Sequence, residues 1–194
     1  DMYVSHDSEQ LLTASADATI NLWRVQNGEL IKKFPATGPV RAVAWAEGSR
    51  FFAAAMDPFG PHLAQGAVWA VPKEGEISDK PMESRVFEIP VEFRATNIAW
   101  VRNNSCLLVT YDDGSLRLLD SLNGEVVETY QIHQHKVQDL QFSKDRTLII
   151  TASYDNFAKL LDATTLEVLQ TYETDRPVNA AAISPIREHI VMGG

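Results

Sequence analysis

Three aspartates recur at the same position of a repeated sequence motif, and they are the first candidates for catalytic residues. Asp17, Asp113 and Asp155 each precede an apolar segment that carries Trp or Leu six residues after the Asp. Asp113 and Asp155 are 155 − 113 = 42 residues apart, and Asp17 and Asp155 are 155 − 17 = 138 residues apart. A catalytic acid is needed once and not in every repeat, whereas an Asp in a tight turn accepts hydrogen bonds from backbone amides. The recurrence therefore favours a structural role for all three.

Histidine and cysteine supply the remaining reactive side chains. His133 and His135 are two residues apart, so on a strand they would share a face and offer a metal ion two ligands. No Cys or carboxylate motif accompanies them, and the preferred interpretation is a hydrogen bond from one of them to Ser153 or Asp155. Cys106 lies in an apolar run and is interpreted as a core residue.

Composition and motifs narrow the classes of function. The chain has 194 residues and a formal net charge of −9 at pH 7. An acidic chain does not neutralise phosphates, so we expect no direct binding to nucleic acid or to an anionic membrane surface. The single cysteine excludes an intrachain disulfide and favours a reducing, cytosolic compartment. No phosphate-binding loop, nucleophile motif or metal-ligand spacing occurs, so we expect no enzyme activity, cofactor or bound metal.

The aspartates lie in the turns of a longer pattern, in which short apolar strands alternate with polar turns. Four segments share alternating small and apolar residues that end on a large one, namely 40–45, 96–100, 137–142 and 178–183. A 42-residue repeat with Ser-x-Asp in a turn is typical of a β-propeller blade. The predicted fold class is all-β, and residues 1–194 form a single partial propeller domain. Parts of five blades are expected at about 11–34, 40–71, 96–130, 137–172 and 178–194.

Two stretches interrupt the pattern. Residues 57–68 contain Pro and Gly where the second blade should have a tight turn, and residues 72–90 are polar and charged. Both are interpreted as loop expansions, because insertions are tolerated where blades turn. Since propellers close with about four to eight blades, we expect the chain to be an internal piece of a longer polypeptide.

The first and fourth repeats resemble the WD40 repeat family. The resemblance is carried by the runs 13–23 and 151–155 and by the pair Leu161-Asp162. This chain departs from the family pattern because Trp survives only at Trp23, and Arg24 follows it in place of Asp. The resemblance implies a structural turn network that contains Ser15, Asp17, Trp23, Asp113, Ser153 and Asp155.

The last third of the chain is similar to the subunit i family of eukaryotic translation initiation factor 3. The runs 133–143, 174–179 and 190–194 carry this similarity. It implies a seven-bladed, non-enzymatic cytoplasmic scaffold that binds other subunits of the factor, with subunits b and g expected, and the small ribosomal subunit indirectly. The alternative left open is a WD40 adaptor of a signalling or RNA-assembly complex, of the type associated with a kinase receptor.

Strand direction adds a hypothesis about where a partner docks. The first and third strands of a blade run the same way, so their carboxyl ends emerge on one face of the ring. Asp145 follows the first strand of the fourth repeat, Asp162 ends its third strand, and Leu160 and Leu161 lie beside them. Two carboxylates next to apolar surface suit a partner helix that presents Arg and an apolar anchor. The resemblance implies that subunit b supplies this helix.

Overall fold

The computed structural model describes residues 1–60, 65–71, 84–88, 93–186 and 189–194, and every regular element in these ranges is a β-strand. The first sheet contains β1 (Met2–Val4), β2 (Gln10–Ser15), β3 (Thr19–Arg24) and β4 (Leu30–Pro35). The second contains β5 (Val40–Trp45), β6 (Phe51–Met56), β7 (Gln65–Ala70) and β8 (Ser84–Glu88). The third contains β9 (Ala95–Val101), β10 (Cys106–Tyr111), β11 (Ser115–Asp120) and β12 (Val126–Gln131). The fourth contains β13 (Val137–Phe142), β14 (Leu148–Ser153), β15 (Phe157–Asp162) and β16 (Val168–Glu173), and the fifth contains β17 (Ala180–Ile183) and β18 (Ile190–Gly193).

Each sheet is an antiparallel meander in which strands that are consecutive in the chain pair side by side. Four sheets have four strands, and the fifth shows two. The prediction of an all-β fold of WD40-type propeller blades is confirmed by this topology. The described ranges contain no helical segment that could span a bilayer.

The first strand of each blade lies innermost, where neighbouring sheets meet. Contacts between sheets join β1 and its neighbour β2 to β5, and they join β5 to β9, β9 to β13 and β13 to β17. The fourth strands lie at the other edge, and most side chains of β12 and β16 are exposed. Among the described residues, buried apolar side chains form four clusters, and each cluster is filled from two consecutive sheets. This arrangement explains why the first strands alternate small and large residues, because each must fit between two sheets.

The second blade differs from the prediction in its outer half. β8 lies inside the stretch 72–90, which was expected to be a loop, and it pairs with β7. β7 itself begins at Gln65, inside the predicted expansion 57–68. The prolines that suggested two long loops flank these strands, because the segments 65–70 and 84–88 contain none. Gly66 lies inside β7 and is paired on both sides, so it does not interrupt the strand. Residues 61–64, 72–83 and 89–92 lie outside the described ranges.

Aromatic and alanine side chains share the boundaries of the second blade. On one side, the Phe52 ring stacks on Trp69 at 5.1 Å between centroids and meets Phe34 edge-on at 5.0 Å. On the other side, the buried Ala53 and Ala55 face a cluster that contains Trp100 and Tyr111 of the third blade. Small residues in one blade therefore make room for large ones in the next.

Side chains of the first strands also bond across the blade boundaries. Trp45 Nε1 donates to the carbonyl oxygen of Tyr3 at 3.0 Å, and Trp100 Nε1 donates to that of Ala44 at 3.0 Å. These indole groups are buried in the boundary clusters. Their hydrogen bonds satisfy the indole N–H donors, which would otherwise carry a desolvation penalty.

Two aspartates make a second kind of cross-blade bond. Asp1 Oδ2 accepts from the amide of Val43 at 3.0 Å, and Asp139 Oδ2 accepts from the amide of Ala181 at 3.2 Å. In both pairs the donor lies 42 residues after the acceptor. The repeat period is therefore visible in the hydrogen bonds between blades as well as in the sequence.

Gly114 lies against the connector that leads from the third blade to the fourth. Its φ is +84°, and a Cβ at this position would overlap the carbonyl oxygen of His133 and lie 2.9 Å from that of His135. Gly28 also has a positive φ, of +69°, but nothing lies within 4 Å of its Cβ position. Comparing alanine substitutions at the two glycines therefore distinguishes the effect of backbone strain from that of steric overlap.

We expect Gly114→Ala to lower the free energy of unfolding by about 2–5 kcal/mol, since it adds overlap to left-handed strain. Gly28→Ala should cost only about 1–2 kcal/mol, from strain alone. Chemical denaturation of both variants measures the difference. Equal losses would contradict the close approach of the connector to Gly114.

Candidate functional site

The recurring aspartates occupy equivalent turns between the second and third strands. Asp17 Oδ1 accepts from the Thr19 amide at 3.0 Å, and Asp113 Oδ1 accepts from the Ser115 amide at 2.8 Å. Asp155 Oδ1 makes the same bond to the Phe157 amide at 3.0 Å. Ser15 and Ser153 lie two residues before two of these aspartates, and each Oγ accepts from the amide of its Asp at 3.2 Å.

His133 links the connector before the fourth blade to that blade's turn. Its Nδ1 lies 2.9 Å from Asp155 Oδ2, and its Nε2 lies 2.8 Å from Thr151 Oγ1. The hydrogen bond expected between a histidine and Asp155 is therefore present. The two histidines do not lie on a strand: both are in the connector between β12 and β13, where His133 is buried and His135 is exposed.

Burial and hydrogen bonding set the protonation of this pair. Burial lowers the pKa of His133 and outweighs the attraction of the Asp155 carboxylate. For Asp155, burial alone would raise the pKa, but the amide of Gln134 and the His133 ring lower it below its ordinary value. A neutral imidazole hydrogen-bonded to a carboxylate is thus the favoured state.

The blades close differently where the tryptophan is lost. In the first blade, Trp23 Nε1 donates to Thr13 Oγ1 at 2.9 Å. In the fourth blade, Leu161 replaces the Trp, and Thr151, the counterpart of Thr13, bonds to His133. In the third blade, where Leu119 stands in the Trp position, Arg117 closes the turn instead.

Arg117 combines an ion pair with ring contacts. Its Nη2 lies 3.4 Å from Asp113 Oδ2, and its guanidinium lies 4.6 Å from the Tyr111 ring centroid and 5.6 Å from that of Phe93. These contacts link the turn of Asp113 to the aromatic rings of Tyr111 and Phe93, and they add cation–π attraction to the partly buried ion pair. Sequence analysis missed Arg117, although an Arg two residues before the Trp position was a visible signal.

Asp145 and Asp162 are each held in place by hydrogen bonds to one oxygen of the carboxylate. Asp145 Oδ1 accepts from Ser143 Oγ at 2.6 Å and from Thr147 Oγ1 at 2.9 Å. Asp162 Oδ1 accepts from the amides of residues 164 and 165, each at 2.8 Å. The Ser143 hydroxyl is the main cause that lowers the pKa of Asp145, and the two amides lower the pKa of Asp162. No partner of either Oδ2 is found among the described residues.

The register of the fourth sheet brings these two carboxylates to the same end of the blade. Asp162 pairs with Leu148, the residue that follows the turn of Asp145. The amide of Ala163 also donates to the carbonyl oxygen of Thr147 at 2.9 Å. We call residues 143–147 the inner turn of this blade and residues 163–167 its outer turn, so Asp145 lies in the inner turn and Asp162 opens the outer one.

Other blades carry one of these carboxylates but not both. In the first blade, Asp7 corresponds to Asp145 (145 − 7 = 138), but Arg24 stands in the place of Asp162 (162 − 24 = 138). In the third blade, Asp120 corresponds to Asp162 (162 − 120 = 42), but residue 103 is Asn. The turn explains each Asp alone, whereas their combination distinguishes the fourth blade from these two.

The two leucines expected beside these aspartates differ in burial. Leu161 is fully buried toward the third blade, and Leu160 is half-buried in the cluster between the fourth and fifth blades. Leu161 therefore offers no surface to a partner, because successive side chains of a strand point to opposite faces and this one points into the core.

A groove that sequence analysis missed lies beside Asp145. It has a volume of about 540 Å³, and its walls include Leu148 of the fourth blade and Ile183 and Ile186 of the fifth. Ile186 is 89% exposed, which is unusual for a large aliphatic side chain. The signal in the sequence was the apolar residue directly after Ser184-Pro185, in the turn that corresponds to the inner turn of the fourth blade.

Two family models match the chain, and both describe WD40 repeats. Residues 68–145 match the WD40 domain of anaphase-promoting complex subunit 4, and residues 1–24 match the WD domain, G-beta repeat. The second match ends one residue after Trp23. It therefore covers the strand–turn–strand unit of the first blade that contains the hydrogen bond from Trp23 to Thr13.

Curated proteins give a more specific similarity. The chain is 34% identical to eukaryotic translation initiation factor 3 subunit I of Emericella nidulans, over 98% of the chain and 57% of that protein. It is 33% identical to the subunit I of Candida glabrata, over 97% of the chain and 56% of that protein. For the subunit I of Aspergillus oryzae the values are 36%, 98% and 57%. The chain is a WD40-repeat protein that resembles subunit I of translation initiation factor 3.

The similarity to subunit I extends over nearly all of this WD40 chain, including the second blade. The chain spans about 57% of the length of these curated relatives. In the described ranges, no group of three or more His, Cys, Asp or Glu side chains has the arrangement of a metal site.

The buried His133 should make the stability of this WD40 chain depend on pH. Because the folded-state pKa of His133 is lowered, its contribution is fully present above the unfolded value of about 6.5 and is lost as the pH falls through the folded value. The lowered pKa of Asp155 acts in a separate, more acidic window, below about 3.8.

We expect His133→Gln to lower the free energy of unfolding by about 1–3 kcal/mol at pH 7.5, and by less at pH 5.5. His135→Gln is the matched control and should change little at either pH, since His135 is exposed. Urea unfolding at the two pH values measures both. A His133→Gln loss that does not shrink at pH 5.5 would contradict a buried neutral imidazole.

Proposed function

We propose that the chain is a non-enzymatic scaffold segment of cytoplasmic translation initiation factor 3, within a ring of seven blades. It binds other subunits of the factor, with subunits b and g as expected partners, while that complex assembles on the small ribosomal subunit. The observation that carries this proposal is the pair of anchored carboxylates at one end of the fourth blade, where Asp145 also lines the groove between the fourth and fifth blades and Asp162 opens the neighbouring turn. We call this surface the docking corner.

The docking corner is prepared for a cationic partner before the partner arrives. In each Asp, turn hydrogen bonds fix Oδ1, so little side-chain freedom remains to be lost on binding. Oδ2 is left for a guanidinium or ammonium group, and a hydrogen bond between charged groups is about twice as strong as a neutral one.

The groove supplies the apolar half of the recognition. Leu148, Ile183 and Ile186 offer a surface on which an aliphatic or aromatic side chain of a partner helix can be buried. A helix with basic residues on one side and an apolar anchor on the other fits this combination. Subunit b is the proposed source of the helix.

Replacing the two carboxylates by Asn isolates their charge. Asn keeps a side-chain oxygen that can accept the turn hydrogen bonds, whereas Lys would remove the acceptors and lower stability for reasons unrelated to docking. We expect Asp145→Asn with Asp162→Asn to weaken binding of subunit b at least tenfold, and to leave the melting temperature nearly unchanged. Calorimetric titration and thermal unfolding measure the two effects.

The matched control is Asp7→Asn with Asp120→Asn. It removes the same charge from equivalent turns of two other blades, where Asp7 and Asp120 make similar turn hydrogen bonds. Subunit b should bind this variant as it binds the unmodified protein. Equal weakening by both double variants would reduce the effect to net charge and overturn the docking corner. Recovery of a kinase receptor or an RNA-assembly complex in place of subunit b would favour the adaptor alternative.

A further inference from the structure

The inner turns of the first four blades each have a non-glycine residue with a left-handed backbone near the end of the turn, and in the third blade Arg102 and Asn103 share this conformation. Ser8, Ser49, Asn104 and Arg146 have φ values of 63°, 53°, 65° and 58°. Ser8 and Asn104 lie 146 − 8 = 138 and 146 − 104 = 42 residues before Arg146, so they correspond in the repeat. Glycine adopts this conformation without the steric penalty that other residues bear. A side chain at such a position can make a contact that glycine could not make.

In the second and third blades, this side chain reaches back to the preceding blade. Ser49 Oγ accepts from the amide of His6, in the inner turn of the first blade, at 3.3 Å. Asn104 makes a reciprocal pair with the backbone of Glu47, in the inner turn of the second blade. Its Oδ1 accepts from the Glu47 amide at 2.8 Å, and its Nδ2 donates to the Glu47 carbonyl oxygen at 3.0 Å.

Arg146 makes the corresponding contact from the fourth blade to the third. Its Nη2 donates to the carbonyl oxygen of Trp100 at 2.6 Å, and its guanidinium lies 4.1 Å from the Phe142 ring centroid. Trp100 is itself tied to Ala44 of the second blade through its indole nitrogen. Arg146 therefore anchors its turn to a residue that is already fixed in the core.

The anchored turn is the one that carries Asp145. The other hydrogen bonds of this turn stay within the blade, from the amide of Ser143 to the carbonyl oxygen of Leu148 and from that of Arg146 to the carbonyl oxygen of Ser143. We propose that Arg146 is a positioning residue, which locks the inner turn against the third blade and so holds Asp145 in place for a basic partner. This inference rests on the proposed docking function.

Charge and position make opposite predictions for the loss of Arg146. Removing a cation next to Asp145 makes the docking corner more negative, and electrostatics alone would then strengthen the binding of a basic partner. Removing the lock frees the turn, and the partner must then order it on binding, which weakens the complex. The sign of the change in affinity therefore separates the two roles.

The test compares Arg146→Gly with Ser8→Gly in the intact protein. Glycine suits the backbone at both positions, and Ser8 is an exposed residue of the first blade, remote from the docking corner. With subunit b as the probe, Arg146→Gly should bind about tenfold more weakly, mainly through faster dissociation. Ser8→Gly should bind as the unmodified protein does. Surface plasmon resonance gives both rate constants.

Hydrogen exchange tests the lock without any partner. In Arg146→Gly, the amide of Thr147 should exchange faster, because its hydrogen bond to Asp145 Oδ1 depends on the turn's shape. Amides of β14 and β15 should keep their protection, which shows that the blade stays folded. Unchanged exchange at Thr147 would overturn the lock.

The affinity measurement decides the positioning role. Binding of Arg146→Gly that equals or exceeds that of the unmodified protein would overturn it, even if exchange at Thr147 rises. If the unmodified protein itself does not bind subunit b, the proposed docking function fails with it, and faster exchange at Thr147 would then support the lock alone.

Discussion

Neighbouring blades are not joined by strand pairing anywhere in the part of the chain that the structure describes, and this constraint governs the rest of the molecule. Within a blade, a backbone ladder holds the strands almost regardless of sequence. Between blades, the fold depends on side chains that fill shared clusters and on hydrogen bonds such as that from Trp100 to the backbone of Ala44. The identity of a residue therefore matters most at the boundaries, where side-chain size and hydrogen-bonding capacity replace the ladder.

The turns show how one type of residue serves both architecture and recognition. An aspartate that accepts hydrogen bonds from turn amides uses one carboxylate oxygen for the fold. Its second oxygen remains available to a partner, and the side chain is already ordered. Asp7 and Asp120 accept turn amides in the same way as Asp145 and Asp162, but they lie on separate blades. The proposed recognition thus requires no new kind of residue. It uses two structural aspartates at one end of the fourth blade, one of which lines an apolar groove.

The repeat period carried most of the information about the fold that the sequence contains. It located the first strands and the structural aspartates, because these features depend on local alternation and on turn chemistry. It failed at β8, where flanking prolines concealed a short strand, and at Leu161, whose direction depends on register and not on composition. The groove and the role of Arg146 depend on how two blades meet. The pattern of a single repeat does not determine which side chains of two blades come into contact, so the sequence alone could not reveal these two features.

The run of alanines in β6 has a consequence for how this chain diverges. Ala53 and Ala55 face the space that Trp100 and Tyr111 occupy, so the combined volume of the two blades is fixed at that seam. A bulkier residue in one blade becomes acceptable only when its opposite number shrinks. Changes at this seam should therefore accumulate as reciprocal exchanges between residues some fifty positions apart. Each blade thus evolves under the dimensions of its neighbour.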